Sequence, residues 1–330
     1  MTATGESPLT ALPVVPLDLE LAAAAPTVLE QLGSPTVLDV GEMRQRLRKL
    51  TAQRIAATNM SGVDIEELVV PGPAGDPDVA LTVVRPRGHT GTAAPCLYSI
   101  HGGGMVVGGR HDSVPELVHF AKYGVAGVSV EYRLAPEHPD PAPVEDSYAG
   151  LAWVSAHAAE LGIDPSRLVV IGGSAGGGLA AGVTLLARDR GGPALAGSVL
   201  ACPMLDDRDE TLSTRQHEQA VLWDRTQNRG GWTALLGERR GGPHVSGYAA
   251  PARARDLSNL PPTFLDVGSA EVFRDETVDY ASRIWAAGGH AELHVWAGGF
   301  HGFDALAPTA AVSTAARRAR NAWIRRTLGV

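Results

Sequence analysis

The sequence predicts an α/β fold, a mostly parallel central sheet flanked by helices, with a helical cap over one end. Three observations carry this. From about residue 80, short β-rich runs alternate with longer stretches whose apolar residues recur at three- and four-residue steps, the pattern of strands joined by covering helices. Residues 1–55 and about 206–250 contain no convincing strand-like run. Five glycines crowd one serine where a strand becomes a helix, in "RLVVIGGSAGGGLAAG".

In chain order, "VGEMRQRLRKLTAQRIAA" reads as a helix within an N-terminal cap segment, residues 1–55, and residues 56–330 form the main domain. The predicted strands are "ALTVVRP", "CLYSI", "AGVSVEY", "RLVVIG", "AGSVLAC", "TFLDVG" and "ELHVWAG". They are rich in β-branched residues and bounded by glycine, proline or polar residues. The helices between them are "SVPELVHFAKYG", "VEDSYAGLAWVSAHAAELG", "GLAAGVTLLARDRG" and "DETVDYASRIWAAGG". The insertion at about 206–250 carries Leu222, Trp223 and Trp232, which either line a pocket or form the cap's own core. The closing "TAAVSTAARRARNAWIRRTLG" reads as a basic amphipathic helix with a solvated outer face.

Bulk properties exclude several classes. The 330 residues are 44% hydrophobic and 19% charged, as in a globular protein. A net charge of -8 disfavours nucleic acid and anionic membrane surfaces, which reward a basic face. No apolar run approaches the roughly 20 residues of a membrane span. The N-terminus carries Glu6, Asp18 and Glu20 with no basic start, a poor secretion signal. Cys96 and Cys202 read as two buried, unpaired thiols, and the expected compartment is the cytoplasm.

In an open α/β sheet, ligands bind beyond the carboxyl ends of the strands. Three unusual segments fall there: "HGGGM" after "CLYSI", "GGSAGG" after "RLVVI", and "GGFHGF" after "ELHVW". The pattern G-x-S-x-G between strand and helix is a nucleophile elbow, presenting Ser174 on a strained turn. Gly172 and Gly176 stand where a side chain would strike the crossing strand and helix. A phosphate cradle is the rival reading, but no Lys-Ser/Thr follows these glycines, and in "HGGGMVVGG" Val107 occupies the last glycine position of G-x-G-x-x-G.

An acyl-transfer serine needs donors for the oxyanion it creates, and backbone amides serve best. Gly103, Gly104 and Ala175 supply three. His101 is expected to hold the loop by a hydrogen bond rather than to act as a base. His301, past the last strand and flanked by glycines nearby, is the candidate base. The acid must lie between serine and histidine in the chain. Among Asp266, Glu271, Asp275 and Glu276, the favoured residue is Glu271, in the loop after its strand, with Asp275 the alternative. Protonation of His301 should then switch activity off near pH ~6–7 before local shifts.

The segments "HGGGM", "YRLAPEHPDPAPVED", "GGSAGG", "SAEVFRDE" and "FHGF", in this order over about residues 90–305, resemble the hormone-sensitive-lipase-like family of α/β-hydrolases, the bacterial family IV esterases. The resemblance implies a serine carboxylesterase for short- to medium-chain acyl esters, with no cofactor and no metal. It also implies a helical cap built from the N-terminus and an insertion, and often a homodimer. Carried over by position, Ser174 is the nucleophile, His301 the base, and Gly103, Gly104 and Ala175 the oxyanion donors. The chain departs from the family pattern at Gly173 and Glu271, where aspartate is usual, and at Met105, often aromatic, which borders the acyl pocket. Arg133, Glu137 and Asp146 are expected to be scaffolding. An amidase or lactonase would use the same triad; a ligand-binding receptor of this fold would lack the catalytic histidine that His301 represents.

Overall fold

The computed structural model describes residues 12–32, 39–88 and 93–330. The first eleven residues of the N-terminal segment, Glu6 among them, lie outside the described residues. Eight strands form one sheet: β1 (Val63–Val70), β2 (Val79–Pro86), β3 (Ala94–Ile100), β4 (Ala126–Glu131), β5 (Ile163–Gly173), β6 (Gly197–Ala201), β7 (Thr263–Gly268) and β8 (Ala291–Trp296). Their spatial order is β1-β2-β4-β3-β5-β6-β7-β8. The pairings from β4 through β8 are parallel, and β1–β2 and β2–β4 are antiparallel.

The helices are α1 (Leu19–Leu32), α2 (Val40–Ala57), α3 (Val114–Ala121), α4 (Ala142–Ala156), α5 (Ala158–Leu161), α6 (Ala175–Asp189), α7 (Leu212–Gln216), α8 (Arg225–Leu236), α9 (Arg274–Ala286), α10 (Phe303–Leu306) and α11 (Ala311–Leu328). Successive strand residues point to opposite faces, and both faces are covered. On one face Leu97, Val169, Val199 and Phe264 pack against Leu117 and Phe120 of α3 and Trp323 and Ile324 of α11. On the other, Tyr98, Val170, Leu200 and Leu265 share a core with Val144 of α4, Leu179 of α6 and Ile284 of α9. Burial on both faces explains why these strands read as continuous apolar runs.

All seven expected strands are present, and β1 is an addition. Its sequence, "VDIEELVV", is buried only at its two ends, so no apolar face marks it. Backbone pairing with β2 and edge ion pairs such as Arg87 with Asp64 hold it. The closing helix is amphipathic, as its sequence predicts, but not all of its basic residues face solvent. Alongside its solvated side, α11 buries Trp323, Ile324 and Leu328 against the sheet and turns Arg320 inward.

The strand-poor segments gather at the carboxyl ends of the strands. Leu21 and Val28 of α1 pack on Phe300 and Phe303. Arg44 of α2 donates to Val106 O, Ala135 O and both oxygens of Glu137. Trp232 of α8 is completely enclosed in the main core. Among the described residues no helix is long and apolar enough to cross a membrane.

Candidate active site

The turn from β5 into α6 places Ser174 at φ 57°, ψ -124°, a strained conformation for a residue with a side chain. The flanking glycines make it feasible. A Cβ on Gly172 would overlap the Gly176 carbonyl, and a Cβ on Gly176 would overlap the carbonyls of Ile100 and His101 at the end of β3. Gly173 differs: the nearest atom to a Cβ there is Ala201 O at 3.8 Å. The aspartate usual at this position in the resembled family thus leaves open space, not a forced glycine.

Three strand ends bring three side chains into line. His301 Nε2 lies 2.9 Å from Ser174 Oγ, and its Nδ1 lies 2.6 Å from Glu271 Oε2. The other carboxylate oxygen of Glu271 accepts from Gly268 N–H at 2.9 Å, fixing the group at the exit of β7. Glu271 is fully buried and His301 nearly so. Phe273 meets the imidazole edge-on, with ring centroids 5.1 Å apart. Burial by itself disfavours the imidazolium. The Cys202 sulfur and the Glu271 carboxylate beside the ring outweigh it and hold the His301 pKa well above its ordinary value.

The other carboxylates are committed elsewhere. Asp275 accepts from Ser213 N–H at 2.8 Å and from Arg274, and Glu276 accepts from Leu205 N–H at 2.7 Å. Asp266 is inside β7 and pairs with Arg320 at 2.8 Å. Arg320 also pairs with Asp304 at 2.9 Å, three residues past His301, tying the histidine loop to the sheet.

On the opposite side of Ser174, the segment after β3 turns through Gly103 at φ 116°, Gly104 at φ 59° and Met105 at φ 68°. Close approach again demands glycine: a Cβ on Gly103 would overlap Val107 O, and one on Gly104 would overlap the Trp223 indole. Among the described residues, the N–H groups of Gly103, Gly104 and Ala175 have no backbone acceptor. His101 supports this loop as expected, with Nδ1 2.8 Å from Gly102 O and the ring stacked 4.1 Å from Tyr132. Arg133 donates to both oxygens of Asp146, and Glu137 anchors Arg44, so this segment braces the loop from behind.

Trp223 covers Gly104, and its ring centroid stands 6.4 Å from that of His301. Leu222 is partly buried beside it, and Met105 is fully buried. A cleft of about 560 Å³ reaches Ser174, His301, Gly102 and Cys202, with Glu116 and Arg317 farther along its wall. A hollow of about 750 Å³ beside α2 does not touch Ser174.

Three features go beyond the sequence-based expectations. Cys202 was expected to be buried; it is only partly so, because it stands one residue beyond β6 at φ 36° and faces the cleft. Its position at a strand's carboxyl end was the available signal. Burial raises its thiol pKa, against the pull of His301. The Arg44 clamp and the Arg320 network join residues far apart in the chain, and no local pattern announces such pairs.

The chain matches a protein family described by its alpha/beta hydrolase fold over residues 97–305. It is similar to the carboxylesterase NlhH of Mycobacterium tuberculosis, 38% identical over 67% of this chain and 70% of that one. It is 33% identical to the esterase LipI of the same organism, over 82% of this chain and 84% of LipI. A solved structure of a bacterial heroin esterase superposes with a TM-score of 0.89 at 45% identity, covering 94% of this chain and 98% of that one.

Proposed function

This chain belongs to the hormone-sensitive-lipase-like branch of the α/β-hydrolase family, and we propose that it is a serine carboxylesterase working through Ser174, His301 and Glu271. The observation that carries the proposal is the unbroken chain of contacts from Ser174 Oγ through the imidazole to the buried carboxylate, 2.9 and 2.6 Å long. Serine is a poor nucleophile until a base takes its proton. With Nδ1–H donating to Glu271, the lone pair of His301 is at Nε2, facing the hydroxyl. Ser174 attacks the ester carbonyl as its proton passes to His301, and the Glu271 carboxylate stabilises the imidazolium. The amides of Gly103, Gly104 and Ala175 receive the oxyanion. His301 then protonates the departing alcohol, and water repeats the cycle on the acyl-enzyme.

In this reading the described parts of residues 1–55, together with about 206–250, form a cap on the 56–330 hydrolase domain. Met105, Leu222 and Trp223 border the acyl side of the site, and Trp232 supports them from within the cap. The family resemblance supports short to medium acyl chains, with the Trp223 indole against Gly104 on the acyl side. The test is a panel of p-nitrophenyl esters of increasing acyl length, with and without a serine-directed phosphonate. Turnover should fall with long chains, one equivalent of phosphonate should abolish it, and Ser174→Ala should be inactive. Near-native hydrolysis by Ser174→Ala would end the proposal.

A further inference from the structure

The proposed ester chemistry has no use for a thiol, yet one lies against the imidazole. Ligand atoms of Cys202, His301 and Glu271 all stand within 4.8 Å of one another, and among the described residues no other group of three or more such side chains comes so close. We propose that these three side chains form a site for a soft divalent cation of the zinc and cadmium class, whose binding reversibly switches hydrolysis off.

Thiolate, imidazole and carboxylate are the ligands such ions take, with metal–sulfur bonds of about 2.3 Å and metal–nitrogen bonds of about 2.0–2.1 Å. Two ligands on one tetrahedral ion therefore stand roughly 3.5 Å apart. An ion held by the sulfur and the imidazole needs those two to come to that spacing, whereas His301 Nδ1 and Glu271 Oε2, now 2.6 Å apart, would have to spread to share it. An ion can arrive through the cleft, which reaches both Cys202 and His301. Glu271 is fully enclosed and already bonded to His301 Nδ1, so it either ligates or orients the ring from the far side. Positions the protein leaves open take water.

Binding is an exchange of a proton for a metal. The thiol loses its proton to solvent, and the ion accepts electron pairs from sulfur and from one ring nitrogen. At Nε2 the ion occupies the lone pair that would receive the Ser174 proton. At Nδ1 it displaces Glu271 and leaves the ring proton on Nε2, which then cannot accept. Either way the base is lost. This inhibition rests on the role proposed for His301; the binding itself does not.

The test titrates cadmium into the wild type, Ser174→Ala and Cys202→Ala, following the ultraviolet absorption of the cadmium–thiolate bond. In parallel, zinc is titrated into ester hydrolysis assays and then removed with EDTA. One equivalent of cadmium should produce the band in the wild type and in Ser174→Ala. Cys202→Ala should lack it, because Cys96 is enclosed. Zinc should inhibit the wild type reversibly, and Cys202→Ala, assayed at the plateau of its own pH–rate profile and scored against its own uninhibited rate, should need at least about tenfold more, the least that losing even a supporting partner costs. Cys202→Ser, closer in size, repeats the comparison if the alanine variant folds poorly. No band in the wild type, an equal band in Cys202→Ala, or equal zinc sensitivity in both would overturn the site. Turnover by Ser174→Ala would instead overturn the serine mechanism and leave the cadmium result standing by itself.

Discussion

Replacing Glu271 by glutamine changes one atom and should disable the base without disturbing the fold. In the wild type, Glu271 Oε1 accepts from Gly268 N–H at 2.9 Å while Oε2 meets His301 Nδ1 at 2.6 Å. Glutamine keeps the first bond only by turning its carbonyl oxygen toward Gly268. Its NH₂ then faces Nδ1, and two donors cannot share a hydrogen bond. The imidazole responds by moving its proton to Nε2, where it points at Ser174 Oγ and can accept nothing. A wrong tautomer of this kind costs about 10⁴ in kcat in the chymotrypsin-like triad, or roughly 5.4 kcal/mol of transition-state stabilisation. The assay is hydrolysis of a short p-nitrophenyl ester, with thermal unfolding as the control. Asp275→Asn, which touches Ser213 and Arg274 instead, should remain within about tenfold of wild type. Glu271→Gln activity within tenfold of wild type, or greater damage from Asp275→Asn, would refute the assignment.

Because the Glu271 carboxylate and the Cys202 sulfur raise the His301 pKa above its ordinary value despite burial, and only the neutral ring can accept a proton, kcat/KM should fall as pH drops through that raised value. The acid limb should thus lie above about 6.5, higher than the sequence alone led us to expect; a profile flat to pH 4 would contradict this. Gly176→Ala should destabilise by about 1–3 kcal/mol in urea titrations through overlap with the β3 carbonyls. Gly173→Ala, with 3.8 Å of room, should cost less than about 1 kcal/mol. Arg44→Lys should lower kcat with little change in unfolding midpoint, because an ammonium cannot hold Val106 O, Ala135 O and Glu137 at once; unchanged kcat would show that α2 does not steady the oxyanion loop.

Most of this architecture was legible in the residues, for a physical reason. Strands buried on both faces must be apolar, so β2 through β7 announced themselves, whereas β1 pairs through its backbone at an exposed edge and had no such need; β8, at the other edge with no fully buried residue, was marked instead by its place after a helix. Ser174 was legible because a strained elbow excludes side chains at Gly172 and Gly176. Glu271 could be favoured over Asp275 because one follows its strand in a loop and the other opens a helix. Arg320, hidden in a basic helix, and Arg44, clamped to carbonyls more than sixty positions away, were not legible. Their partners are determined by how distant segments meet, and composition is silent on that.

The indole of Trp223 rests directly on the backbone of Gly104, so one side chain from the strand-poor insertion is in contact with a proposed oxyanion donor. In the proposed mechanism, substrate preference and reaction speed are thereby mechanically joined. Substitutions at 223 meant to widen the pocket will also loosen the amide that must meet the developing charge, and variants with broader scope should turn over more slowly even on substrates that already fit.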